Sequence, residues 1–262
     1  MNDRKIVIKL YIIIGLCALL SIALLTLSLG GGVSRIHETV MQTKEPVVEE
    51  TPVPADSATP EPVVTSEPVE TAIPDTTSDD SILRIVNKDQ PLDSSYVPTD
   101  LVEVTVSSEG TQYLRKEAAE SLVGMFADAQ SAGIDLLLVS GYRSYAFEVE
   151  NEKTFVAAYG EAYASMVDCH PGRSEHQLGL LADFGTRDGY CRLDTCFGTT
   201  SASAWLAEHA WQYGWIERHP SGKEAVTGVM YSPWNYRYVG KEMAELIHAS
   251  GMTMEEYFSQ RG

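Results

Sequence analysis

The sequence predicts an α+β domain of about 180 residues behind an N-terminal segment of different composition. Two observations carry this. From about Ser81 onward, helical and strand-like patterns follow one another without regular βαβ alternation. Before it, apolar and then proline-rich stretches lack the pattern of a folded core.

Taken in order, Met1–Lys9 carries Arg4, Lys5 and Lys9, and residues 10–29 form an apolar run long enough to span a bilayer as a helix of about 20 residues. The positive flank precedes it, which predicts a single-pass cell-membrane anchor with the C-terminal domain extracellular. A cleaved signal peptide is the rival, but Gly30-Gly31-Gly32-Val33 makes a poor cleavage site. Residues 30–80 hold seven prolines between Pro46 and Pro74, spread among Glu, Thr, Val and Ser. Such a piece buries too little to offset the entropy of ordering and reads as a disordered linker.

Within the domain at 81–262, Glu117–Ala132 shows a helical stripe at Leu122, Val123, Phe126 and Ala129 that Gly133 ends. Ile134–Val139 reads as a buried strand delivering Ser140–Tyr145 at its end. Tyr145–Met166 reads as helix, Gly179–Phe184 as strand, and Ser201–Tyr213 as helix closed by Gly214. Val226–Tyr231 and Tyr236–Val239 look β-like, Lys241–Ser250 is a helix stopped by Gly251, and Thr253 with Glu256 forms a capping box for a last short helix.

The net charge of -18, with 19 Lys+Arg against 37 Asp+Glu, excludes nucleic acid as a partner, because phosphate binding needs a basic face. Outside the apolar run stand Cys169, Cys191 and Cys196. A Cys191–Cys196 or a Cys169–Cys191 disulfide is permitted outside the cell, and the sequence does not choose between them.

Chemistry concentrates in Arg173–Asp183, where Ser174, His176 and Asp183 interrupt a small or apolar run and Gly179 permits a tight turn. An imidazole and a carboxylate are two of the three protein ligands of a usual catalytic zinc site. Together with Ser140-Gly141-Tyr142-Arg143-Ser144-Tyr145 and Ser232-Pro233-Trp234-Asn235-Tyr236-Arg237-Tyr238-Val239-Gly240, this run resembles the zinc D-alanyl-D-alanine carboxypeptidases of the vancomycin-resistance type, members of a lysostaphin- and hedgehog-like group. The resemblance implies a small, mainly antiparallel sheet flanked by helices, with the site in a central groove.

It also implies roles. His176 and Asp183 match two zinc ligands of that family, whereas Ser232 stands at the position of its general-base Glu and Asn235 at that of its third ligand, a His. Serine cannot hold the proton that the base must take, a loss of about 10²–10⁴-fold in rate. An amide oxygen is a poor zinc ligand beside imidazole or carboxylate. Zinc binding is therefore expected to be weakened. Arg143 matches a cationic substrate-polarising group, Ser174 a serine that bonds the substrate terminus, and Glu148 falls where a substrate-binding Gln is usual; an anion there would repel a terminal carboxylate. Trp234 is a candidate substrate contact or a core aromatic.

The resulting expectation is a membrane-tethered pseudoenzyme that binds a peptidoglycan stem peptide or a protein partner. The alternative is an active zinc peptidase with a substitute ligand and base, for which His219, just before the downstream motif, is the first candidate among His170, His209, His219 and His248. A structural module with no cleft function is the third.

Overall fold

Alternation along four short strands sets the architecture, because successive side chains point to opposite faces of a sheet. The computed structural model describes residues 74–167 and 170–261, all within a unit spanning Ser66–Gly262. The expected membrane anchor at 10–29, most of the linker and Cys169 lie outside the described residues. Among those described, no helix is long and apolar enough to cross a membrane.

A two-stranded hairpin, β1 (Leu101–Glu103) and β2 (Tyr113–Arg115), leads into helix α1 (Lys116–Ser131). The main sheet has the order β3-β4-β6-β5 and is antiparallel throughout, with β3 Leu136–Ser140, β4 Leu181–Thr186, β5 Trp215–Glu217 and β6 Asn235–Tyr238. Helices α2 (Tyr145–Tyr159) and α3 (Glu161–Ala164) follow β3, α4 (Ser201–His209) follows β4, and α5 (Glu224–Thr227) separates β5 from β6. Helices α6 (Lys241–Ser250) and α7 (Met254–Ser259) close the chain. The sheet is small and antiparallel with helices around it, as the sequence predicts.

Ala182, Phe184, Tyr236 and Tyr238 face the larger core. There Phe184 packs on Phe126, Trp215 and Tyr236 with ring centroids 6.0, 5.8 and 5.7 Å apart. Helix α1 contributes Ala118, Leu122, Met125 and Ala129 to it, a spacing of three and four residues. Burying such side chains contributes about 1.5–3 kcal/mol for each large one. The stripe therefore runs through Met125, while Val123, which the sequence put on it, is 52% exposed. A second cluster joins Ile216 and Val239 to Ala244, Ile247, Tyr257 and Phe258 of the C-terminal helices.

Several elements differ from the sequence reading. The helix expected over Tyr145–Met166 breaks at Gly160, whose φ of +83° belongs to glycine. Val226–Tyr231 is not a strand: Glu224–Thr227 is a helical turn closed by Gly228 at φ +75°. The residues that follow it join no strand. The hairpin and β5, too short for a periodic signal, were not anticipated. The capping box forms as expected, Thr253 Oγ1 accepting from Glu256 N and Glu256 Oε2 from Thr253 N. The permitted disulfide that forms is Cys191–Cys196, with Cα atoms 5.4 Å apart.

Candidate functional site

The face of the sheet opposite the larger core carries the chemistry. Asp183 and Asn235 are direct cross-strand partners, and Ser140 is paired with Asp183 from the other side after a register shift in β3. That shift aims the end of β3 so that Gly141, Tyr142 and Arg143 follow over the same face. Gly141 has no substitute there, because a Cβ would meet the Tyr113 carbonyl oxygen at 2.5 Å.

His176 sits on a single 3₁₀ turn, Glu175–Leu178, that Ser174 caps and Gly179 closes at φ +66°. It is fully buried. Its Nδ1 lies 2.6 Å from the Gly141 carbonyl oxygen, and since that oxygen only accepts, Nδ1 carries the hydrogen. The ring's Nε2 lies 3.3 Å from Asp183 Oδ2 but off the hydrogen-bond direction, and finds no hydrogen-bond partner in the protein.

Asp183 is the hub. Asn235 Nδ2 donates to its Oδ1 at 2.7 Å, and Arg143 Nη1 lies 3.5 Å from its Oδ2. Burial works against the Asp183 carboxylate, yet His176, Arg143 and Asn235 outweigh it and hold its pKa below the usual value. Arg143 Nε also donates to Glu148 Oε1 at 2.6 Å, and Asn151 Nδ2 donates to the other Glu148 oxygen at 3.0 Å. Ser232 Oγ donates to the Met230 carbonyl at 2.9 Å, a bond that leaves its proton in place. Asn235 Oδ1 is buried without a protein partner.

His176 lies buried against Asp183, and Arg143, Asp183, Ser232 and Asn235 border a cleft of about 660 Å³. Its floor includes Tyr142, Arg143, Asp183, Ser232 and Asn235. One side carries Phe147 and Phe155 of α2, with Tyr163 of α3 and Val167 just after it; the lining also includes Leu193, Met230 and Trp234. Helix α2 buries only Glu148, so its apolar side chains are committed to the cleft and solvent rather than to the core. The Cys191–Cys196 loop bears Leu193 with φ +50° and Arg192, which ion-pairs with Glu109.

Most of the residues singled out in the sequence therefore meet: Arg143, His176, Asp183, Ser232, Trp234 and Asn235. Three do not line the cleft, and one of these, His176, touches it only through its contact with Asp183. Ser174 is fully buried, its hydroxyl accepting from His176 N at 3.3 Å, so it shapes the His176 turn rather than presenting itself to a ligand. Glu148 is fully buried against Arg143, so its charge is engaged there and is not available to repel a carboxylate. Unforeseen were the aromatic stripe, visible in retrospect as Phe147, Phe155 and Tyr163 at multiples of four, and the Arg192–Glu109 pair, which spans 83 residues and left no local signal.

The donor set does not fit a zinc centre of the usual catalytic kind. Such a site takes three protein ligands from imidazole, thiolate and carboxylate. Among the described residues here only His176 and Asp183 qualify, and Asn235 adds an amide oxygen. Among the described residues no three His, Cys, Asp or Glu side chains group together to hold a metal. His219 is 5% exposed with Nδ1 lacking a partner, and burial next to the Arg218 guanidinium pushes its pKa down to about 3. It does not complete such a group among the described residues.

Comparison with known proteins agrees with the geometry. Residues 111–241 match the family profile described as VanY, D-alanyl-D-alanine carboxypeptidase. The Bacillus subtilis (strain 168) protein YodJ is 41% identical over 186 residues, covering 69% of this chain and 68% of that protein. Among solved structures, the LdcB LD-carboxypeptidase, described for its peptidoglycan recognition, is 40% identical with a TM-score of 0.65 over 70% of this chain and 88% of its own. A vancomycin-resistance D,D-pentapeptidase VanY mutant in complex with Zn(II) is 29% identical with a TM-score of 0.58, over 68% of this chain and 98% of its own.

Proposed function

This chain belongs to the VanY D-alanyl-D-alanine carboxypeptidase family, and from that premise we propose that it is a catalytically impaired member acting in peptidoglycan metabolism. It binds the stem peptide in the cleft and does not cleave it. Residues 10–29 hold it at the cell membrane with the folded domain outside, and the proline-rich linker sets its reach. The observation that carries this reading is the state of two positions on the cleft floor. Ser232 spends its hydroxyl proton on the Met230 carbonyl, and Asn235 spends its amide on Asp183. Neither supplies what amide hydrolysis needs there, a group that takes a proton from water and a third strong ligand for the metal.

Zinc, the ion in the related VanY structure, would draw on His176 and Asp183 as the strong donors among the described residues. Arg143, held by Glu148 and Asp183, is placed to bond a peptide carbonyl or carboxylate. The apolar stripe of α2 and α3 supplies area for the rest of the peptide.

D-Alanine release from a pentapeptide stem, with zinc supplied, tests the proposal. The natural chain is expected to release none above background while binding the peptide. The Ser232→Glu/Asn235→His double substitution is expected to gain at least about 10²-fold, the contribution of a positioned general base. Turnover by the natural chain at rates of about 1 s⁻¹ or more, the range of ordinary enzymes, would overturn it.

A further inference from the structure

Among the described residues, the candidate site sets two buried carboxylates against one guanidinium and the imidazole of His176. Glu148 and Asp183, with side chains 0% and 4% exposed, share the single guanidinium of Arg143 at 2.6 and 3.5 Å. Buried charges are costly unless they are paired, so with the imidazole in its neutral form a site built this way favours a cationic occupant. The hydrogen-bonding inventory points the same way. His176 Nε2 presents a lone pair, because Nδ1 carries the ring hydrogen toward Gly141. Asn235 turns its Nδ2 to Asp183, which leaves Oδ1 as an acceptor; the opposite orientation would set that oxygen against a carboxylate. His176 Nε2 and Asn235 Oδ1 are both buried and lack a protein partner, and Asp183 Oδ2 lies beside the first. The three groups are an imidazole nitrogen, a carboxylate and an amide oxygen. A divalent metal finds two strong ligands among them. A primary ammonium, with one positive charge, three N–H donors and no acceptor, matches both their number and their charge.

We infer that the degenerate metal position of this chain is a subsite for a primary ammonium group, formed by His176 Nε2, Asp183 Oδ2 and Asn235 Oδ1. The ammonium belongs to a free amino acid or to the side chain of a diamino acid in a peptide. For its biological source this rests on the stem-peptide reading above. Its chemistry stands apart from that reading, since it depends only on the three acceptors.

The test titrates the purified full chain with methylammonium chloride, D-alanine, N-acetyl-D-alanine, Nα-acetyl-lysine amide and zinc chloride, followed by calorimetry and by the imidazole ¹⁵N resonances of His176. Methylammonium and D-alanine are expected to bind and to shift Nε2, with N-acetyl-D-alanine at least tenfold weaker than D-alanine. Tighter binding of D-alanine than of the lysine amide assigns the site to an α-ammonium, and the reverse order to a side chain. Asn235→His is expected to exchange the preferences, lowering ammonium affinity and raising zinc affinity by at least tenfold each. The inference is overturned if no ammonium compound shifts His176, if the acetylated and free D-alanine bind alike, or if micromolar zinc displaces D-alanine from the natural chain. If methylammonium binds while the pentapeptide does not, the stem-peptide reading falls and the ammonium subsite stands.

Discussion

Two buried polar clusters meet on one face of the sheet, the one that bears Asp183, Asn235 and Arg237. In the first, Glu175 receives Arg218 Nε at 2.7 Å and lies 2.6 Å from Arg237 Nη1, and Arg218 reaches Glu255 at 2.6 Å. Two carboxylates meet two guanidiniums, and Arg237 also donates to the Ile82 and Arg84 carbonyl oxygens. In the second, among the described residues, two carboxylates meet one guanidinium and one imidazole, and His176 Nε2 and Asn235 Oδ1 lack a hydrogen-bond partner. The clusters lie side by side, Arg237 being two residues from Asn235 and Glu175 next to His176. One is closed and ties the N-terminal strap at Ile82–Arg84, the sheet and α7 together. The other is open toward a cleft. The first cluster balances its charges among its own side chains, whereas the second faces a cleft.

The largest effect should come from opening the closed cluster. Arg218→Met leaves Glu175 and Glu255 without their shared partner and is expected to cost about 3–5 kcal/mol, read as a lowered urea midpoint. A cost below about 1 kcal/mol would mean that the cluster is not holding these segments.

Acid titration should separate the clusters next. Burial opposes ionisation of Glu175, but Arg218 and Arg237 outweigh it and bring its pKa down to about 2. A carboxylate whose folded pKa is depressed stabilises the fold above its unfolded value of 4.5 and loses that contribution as pH falls toward 2. The loss should be on the order of 3 kcal/mol across that window. His219, held neutral down to about pH 3, adds a loss beginning near pH 6.5, where the unfolded chain starts to take up the proton. Stability of His219→Gln should therefore change less between pH 6.5 and 4.5 than that of the natural chain, while its decline below 4.5 persists.

A smaller effect is expected in the open cluster. Asp183→Asn leaves Arg143 with Glu148 and removes the charge in excess, so it should cost less than about 1.5 kcal/mol in the same urea series, well under the Arg218 value. Equal costs at both sites would erase the distinction between them. The smallest effect belongs to the exposed end of α2: Tyr159 is 65% exposed and its ring meets those of Phe155 and Tyr163 at 5.8 and 5.1 Å, so Tyr159→Ser should cost no more than about 1 kcal/mol.

Much of this was legible in the chain itself. The helices of the domain were marked by local chemistry: Gly133 and Gly251 past their ends, and the Thr253–Glu256 box at the last start. The short strands were not, because three residues carry no period, and Trp215–Glu217 is a strand only through its pairing with β6. Val226 and its neighbours looked β-like by composition, but no strand lies beside them to accept the pairing, and a helical turn won. At the site, the identities of Ser232 and Asn235 were plain, whereas the burial of Ser174 and Glu148 was not.

By itself, then, the sequence determined which functional groups are available. Ser232 and Asn235 replace the types of residue that a zinc hydrolase needs, and no folding can give a hydroxyl the proton affinity of a carboxylate. It also determined the local turns, since a cap or a glycine at positive φ acts within a few residues. Tertiary structure decided how those groups are spent. That Asn235 donates to Asp183, that Arg143 is shared by two acids and that Glu175 sits in a closed ionic cluster all depend on strand register and on partners 5 to 62 residues away. The sign of a buried charge's contribution is set by those partners, and they are chosen only when the sheet closes.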